Sequence, residues 1–173
     1  MKQRLWMFLI PIVAIALLAK ASPSIGVLVS EQEPGTRLIV SGRVFDPSGT
    51  KPVAGVRVYA YHTDASGVYN KPGIKEPRLK TTVVTDAEGR FELRTIRPGS
   101  YPGGGVPAHI HLEVSGAGYD KQWPDEIQFA DDRAVRADEL AASKAKGTFG
   151  SIVTPTRDAK GVLHATINIR LRK

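Results

Sequence analysis

Of the histidines in this 173-residue chain, two stand one residue apart, in His109-Ile110-His111. In an extended strand, residues two apart point to the same face and lie about 6.6–6.8 Å from one another along the chain. His109 and His111 therefore share a face with Glu113, while Ala108, Ile110, Leu112 and Val114 form an unbroken apolar face. The apolar side is bound for a core. The two imidazoles, held side by side on a rigid strand, can converge on one metal ion. A pair resting on a solvated strand face is the alternative reading of the same residues.

Cysteine is absent. Disulfides, thiolate zinc sites, iron–sulfur clusters and cysteine nucleophiles are thereby excluded, and a metal would have to take imidazole, carboxylate or phenolate donors. Two tyrosines are candidates. Tyr69 sits in Ser66-Gly67-Val68-Tyr69-Asn70, just past a strand-like run, and Tyr101 lies between Gly/Pro-rich stretches in a loop that returns toward the histidines. Two phenolates with two imidazoles would be a hard, anionic set that favours Fe(III) over Zn(II). Taken singly, each tyrosine is also an ordinary amphipathic side chain, and copper or zinc on the histidine strand stays a rival. His62 shares a strand face with Val58 and Ala60, which suits a hydrogen-bonded, partly buried histidine; His164 reads as surface. Asp131-Asp132 reads as a turn or helix lead-in. No nucleophile elbow, His-Glu-x-x-His or dinucleotide fingerprint occurs.

The elements that must hold these residues are short and β-rich. Arg37 to Phe45 ends in the turn Asp46-Pro47-Ser48-Gly49. Val56 to Thr63 alternates, with Val58 and Ala60 on one face and Arg57, Tyr59 and Tyr61 on the other. Thr81 to Thr85 and Phe91 to Ile96 flank Asp86-Ala87-Glu88-Gly89 and read as a hairpin. Ala108 to Val114, Glu126 to Phe129 and Leu163 to Leu171 complete the strands, and Ala137 to Ala145 is the one helical stretch, stopped by Gly147. The expected fold is an all-β, antiparallel β-sandwich with one short helix, spanning 37–173. Residues 22–36 read as a loose leader.

Ahead of that leader, Lys2 and Arg4 precede an apolar run from Leu5 to Ala19, followed by Ala19-Lys20-Ala21. Basic start, short apolar middle and small residues at the cleavage positions describe a secretory signal peptide over 1–21. Export to the periplasm or the medium follows, with membrane association only if the segment is retained. The formal charge is +7. Removing Lys2, Arg4 and Lys20 takes three of the 24 basic side chains against 17 acidic ones, leaving +4. The remaining cations are scattered and do not alternate with aromatics, so nucleic acid is not an expected partner.

The segments Ser41 to Asp46, Pro52 to Val56, Gly67 to Tyr69, Thr85 to Phe91 and Thr95 to His111 resemble the intradiol ring-cleavage dioxygenases, a family that includes protocatechuate 3,4-dioxygenase and catechol 1,2-dioxygenase. The resemblance implies a β-sandwich core and a non-haem Fe(III) held by Tyr69, Tyr101, His109 and His111. It implies a catechol-type aromatic substrate and O2, with the ring cleaved between its two hydroxylated carbons to give a muconate-type diacid. It also implies that Tyr101 leaves the metal and takes up a catechol proton. Trp123 is a candidate for lining the substrate pocket.

Two positions depart from the family pattern. Val106 stands where an arginine usually precedes Pro-Ala-His-Ile-His, and Glu126 aligns with a usual glutamine. A valine supplies no charge, and losing one preorganised group of that kind costs about 10²–10³ in rate. A carboxylate beside an anionic substrate is unfavourable unless protonated or paired. These departures sustain an alternative, a non-catalytic β-sandwich module that binds a ligand or metal on the same fold.

Overall fold

The computed structural model describes residues 22–70 and 72–173. The segment expected as a signal peptide, 1–21, lies outside the described residues.

Alternation of apolar and polar residues sets the two buried faces. One sheet has the order β1 (Ser24–Val27), β5 (Arg90–Ile96), β2 (Arg37–Phe45), β11 (Leu163–Arg170), β10 (Thr156–Arg157). It turns Leu38, Val40, Val44, Phe91, Leu93, Ile167 and Ile169 inward. The other has the order β4 (Leu79–Val84), β3 (Arg57–His62), β6 (His109–Gly116), β8 (Ile127–Phe129), β9 (Ile152–Val153), with β7 (Tyr119–Gln122) also paired to β6. Its inward residues are Val58, Ala60, Ile110, Leu112, Val114, Ile127 and Phe129, and the two sets share one core. Gly42 leaves room for the Phe91 ring across the strand pair: a Cβ there would stand 2.1 Å from the ring edge. The helix α1 (Ala137–Ala145) and a 3₁₀ turn at Gly147–Phe149 close one end. Ser143, the helix's buried residue, accepts the Ile152 amide at 2.9 Å and so ties α1 to β9.

Three expectations are corrected. The sandwich is mixed rather than purely antiparallel, because β1 with β5, β2 with β11 and β8 with β9 run parallel. Parallel pairing needs a long connection, and β2 and β11 are separated by most of the domain. Asp86 to Gly89 is a tight turn, with the Gly89 amide donating to Asp86 O at 2.9 Å, but it is not a hairpin. It carries the chain from β4 in one sheet to β5 in the other. Its tip docks on β2, where the Val44 amide donates to Gly89 O at 2.8 Å. Local turn chemistry encodes the reversal, not the partner. The third correction concerns 22–36, which is no loose leader: β1 lies within it, and Leu28 is buried in the core.

His62, at the end of β3, is wholly buried rather than partly. Its Nδ1 lies 2.5 Å from the Thr63 carbonyl, which can only accept, so Nδ1 carries the proton and Nε2 accepts from the Thr95 hydroxyl at 2.5 Å. The neutral ring is thus fully satisfied. Burial pulls its pKa down to about 4, against the opposing carbonyl contact and the carboxylates of Glu33 and Asp64. On acidification the unfolded chain binds this proton first, at its ordinary pKa near 6.5. Native stability is therefore full above about pH 6.5 and falls as the pH drops toward 4, by about 3 kcal/mol from this one group. Urea unfolding of the native chain and of His62→Asn across that window tests this. The variant is expected to be less stable at pH 7 and to lack this part of the slope; identical slopes would contradict it.

Candidate metal centre

The histidines come from the middle of a sheet, the tyrosines from two loops at its end. His109 and His111 open β6, whose neighbours β3 and β8 fix it from both sides. Tyr69 follows β3 on a loop built around Asp64. The Asp64 carboxylate oxygen Oδ1 accepts from the amides of Ser66 (2.9 Å) and Val68 (3.1 Å) and from the Ser66 hydroxyl (2.6 Å). The Asp64 carbonyl accepts from Gly67 and from Gly99, the latter on the loop that carries Tyr101. Thr63 adds a hydroxyl bond to Gly99 O at 2.8 Å. The two loops touch backbone to backbone. A Cβ on Gly67, whose φ is +84°, would lie 1.9 Å from Ser100 O, and one on Gly99 would lie 2.5 Å from Ala65 O. Only glycine tolerates both the close approach and the left-handed backbone.

Two further residues hold this frame. The Arg78 amide donates to Tyr69 O, and its guanidinium reaches Glu33 and, at 3.4 Å, Asp64. Asp132 Oδ2 accepts from the Ala108 amide and the Ser100 hydroxyl, both at 2.9 Å, while Oδ1 accepts from the Ala134 amide. Burial alone would raise its pKa, but these bonds hold it below the usual carboxylate range. Asp132 thus joins the Tyr101 loop to the start of the histidine strand. In sequence it is indistinguishable from any turn aspartate, and its role there goes unread.

Four donor atoms meet as a result. The Tyr69 and Tyr101 hydroxyls are 2.8 Å apart, and the Nε2 atoms of His109 and His111 are 3.0 Å apart. Tyr69 Oη is 2.7 Å from His111 Nε2 and 3.5 Å from His109 Nε2, while Tyr101 Oη is 3.3 Å from His109 Nε2. Ligands bound at about 2.0–2.1 Å with angles of 90–120° stand about 2.9–3.6 Å from each other. The cluster has the edge lengths of a coordination shell. Each imidazole also has its Nδ1 engaged away from the cluster, His109 donating to Pro107 O and His111 to Glu126 Oε1, both at 2.7 Å. That fixes the tautomers with both Nε2 lone pairs aimed inward. Burial, with the Tyr101 hydroxyl bond next, pushes the Tyr69 phenol well above its ordinary range. Burial also lowers His111, against the pull of Glu126. A site that resists phenol ionisation by itself, yet gathers two phenols and two imidazoles, is matched to a highly charged cation.

The sequence model of the Dioxygenase_C family, described as dioxygenase, matches residues 18–173. The chain belongs to the intradiol ring-cleavage dioxygenase family. The protocatechuate 3,4-dioxygenase beta chain of Burkholderia cepacia is 33% identical over 125 residues, covering 65% of this chain and 53% of that one. Catechol 1,2-dioxygenase 2 of Acinetobacter lwoffii is 34% identical over 107 residues, covering 51% and 38%. The chain thus spans about half or less of these relatives' lengths. Among solved structures, the dioxygenase domain of a dioxygenase carbohydrate-binding protein fusion from Streptomyces sp. SirexAA-E superposes with a TM-score of 0.64 at 27% identity, covering 84% of this chain and 85% of that one. The family uses non-haem ferric iron, and the four-donor cluster fits such an ion in donor type and spacing.

The other candidate positions separate. Glu126 is at the cluster, paired with His111, which meets the condition a carboxylate there requires; its Oε2 stands 3.9 Å from His109 Nε2. Glu113 shares the histidine face but is bridged to Lys121 at 3.0 Å instead. Trp123 lines the cavity beside Tyr69, Tyr101 and His111 and is 62% exposed. Val106 is 39% exposed and does not line that cavity. His164 is on the surface, paired to Asp158 at 2.9 Å. Tyr61 is an addition: its ring stacks on His111 at 4.4 Å and 17°. Its place beside Tyr59 on the polar face of β3 was the readable signal.

Glu126→Gln is expected to weaken iron retention against a chelator by about 10–100-fold, since the His111 ring loses its anionic partner; retention equal to that of the native chain would contradict this. Gly67→Ala is expected to keep the far-UV dichroism of the sheets while abolishing or shifting the visible absorption of the iron-loaded protein. An unchanged visible spectrum would show that the two loops do not need their close approach.

Proposed function

We propose that this chain is an exported non-haem Fe(III) dioxygenase that opens catechol-type rings between the two hydroxylated carbons with O2, giving muconate-type diacids. The observation that carries the reading is the meeting of Tyr69, Tyr101, His109 and His111 at mutual donor distances of 2.7–3.5 Å. Those four residues would hold the ion, whose positive charge would favour the ionised form of a chelating catechol and its reaction with O2.

The chain's own residues do the rest. His109 and His111 stay in place through their bonds to Pro107 O and Glu126. Tyr101 is the mobile donor. It sits just before Gly103, Gly104 and Gly105, which have positive φ and open space around them. Its Oη is the atom that accepts a catechol proton as the diol chelates. Tyr69, locked by the Asp64 turn and Arg78, remains. One carbon–carbon bond breaks and both oxygen atoms of O2 enter the product, so no external reductant is consumed. Export is supported by the basic, apolar and small-residue succession of 1–21.

A second reading, a metal-holding module without turnover, is favoured by Val106, which stands in the sequence where the family usually has an arginine. Oxygen uptake by the iron-loaded chain over a panel of catechols separates the two. Consumption matched by ring-opened diacid is expected; full iron loading with no uptake on any catechol would leave only the module. Tyr69→Phe and Tyr101→Phe are each expected to shift the visible absorption of the ferric protein and to cut turnover by at least about 10², the scale of one displaced catalytic group. Unchanged spectra in both variants would remove them as ligands.

A further inference from the structure

Beside the four-donor cluster the surface opens into a cavity of about 800 Å³. Cavities of about 300–1,000 Å³ hold drug-sized ligands, and one catechol ring fills a small part of such a volume. The wall is aromatic and runs outward from the metal centre. Tyr61 stacks on His111 at 4.4 Å, and Tyr59 follows it along β3 at 5.5 Å. Trp123 stands on the rim from the segment after β7, and Val68 and Ile74 add exposed apolar surface. Large aromatic side chains left uncovered beside a catalytic centre need a physical reason.

We propose that Tyr59, Tyr61 and Trp123 form a subsite for a second aromatic ring, so that the preferred substrate is a polyphenol whose catechol is joined to another aryl group. The proposal rests on the ring-cleavage reading above. The acidic groups of the wall are paired. Glu76 and Glu113 line the cavity and are bridged by Lys80 at 2.7 Å and Lys121 at 3.0 Å, which leaves those lysines matched. Lys75 is the lining cation, on an exposed loop. Tyr59 and Tyr61 are half-buried and present their rings to the cavity from one face of β3. Offset or edge-on aromatic contacts to such rings reward a second aryl group and give nothing to a lone catechol.

The test uses the full iron-loaded chain without oxygen, so that binding is read from the visible spectrum apart from turnover. The probes are catechol, 3,4-dihydroxybenzoate and 3,4-dihydroxybiphenyl. The biphenyl is expected to bind about tenfold more tightly than catechol, and more tightly than 3,4-dihydroxybenzoate, which has no second ring. Trp123→Ala, a change at the exposed rim, and Tyr59→Ala are each expected to bring the biphenyl-to-catechol ratio toward one. Equal affinities in the native chain, an unchanged ratio in both variants, or a preference for the benzoate would overturn the subsite and leave ring cleavage standing. Spectra unmoved by any probe would overturn both.

Discussion

Two loops carry phenols and one strand carries imidazoles, and they must meet within a few ångströms although the residues are up to 42 positions apart in sequence. The structure meets that constraint by pressing the loops together at Gly67 and Gly99 and hanging both on one carbonyl, that of Asp64. Asp132 does the same between the Tyr101 loop and the first residue ahead of His109. These are directional bonds to backbone groups rather than side-chain packing, so they fix where each loop lies. The sandwich beneath supplies a rigid floor. A site on loops thereby gains the precision usually kept for sites on strands.

Electrostatics point the same way. The cluster has two phenols, two imidazoles and one nearby carboxylate, but no lysine or arginine among the described residues directed at it. Burial keeps the Tyr69 phenol protonated and lowers the basicity of His111. Such a group is stable as a hydrogen-bonded set and becomes a strong ligand shell only when a cation displaces the protons. Glu126 completes the picture by holding His111 from behind. Its carboxylate places negative charge behind one ligand. A carboxylate in that place favours the more highly charged ferric state.

Much of this was legible in the residues. The alternation in Arg37 to Phe45 marked β2 to the residue, and Ala, Leu, Glu and Lys over Ala137 to Ala145 marked α1. His109-Ile110-His111 gave both its strand and its face, because period-two geometry leaves no other arrangement once the apolar face is buried. What stayed hidden was non-local. Ser24 to Val27 carries no strong strand pattern and becomes β1 only because β5 offers an open edge. The Asp86 turn looked like a hairpin because turn chemistry is local while sheet choice is global. Glu126 was placed near the site by its resemblance to a family position, yet its bond to His111 depends on how β8 registers against β6, with Ile110 opposite Ile127. Asp132 and Tyr61 act through partners distant in the chain.

The central claim is that one ferric ion sits between two phenol oxygens and two imidazole nitrogens of this chain. Crystals of the iron-loaded protein, with diffraction recorded on both sides of the iron absorption edge, test it directly. The account predicts a single anomalous peak within bonding distance of Tyr69 Oη, Tyr101 Oη, His109 Nε2 and His111 Nε2. A peak elsewhere, or one that leaves both phenol oxygens out of reach, would contradict it.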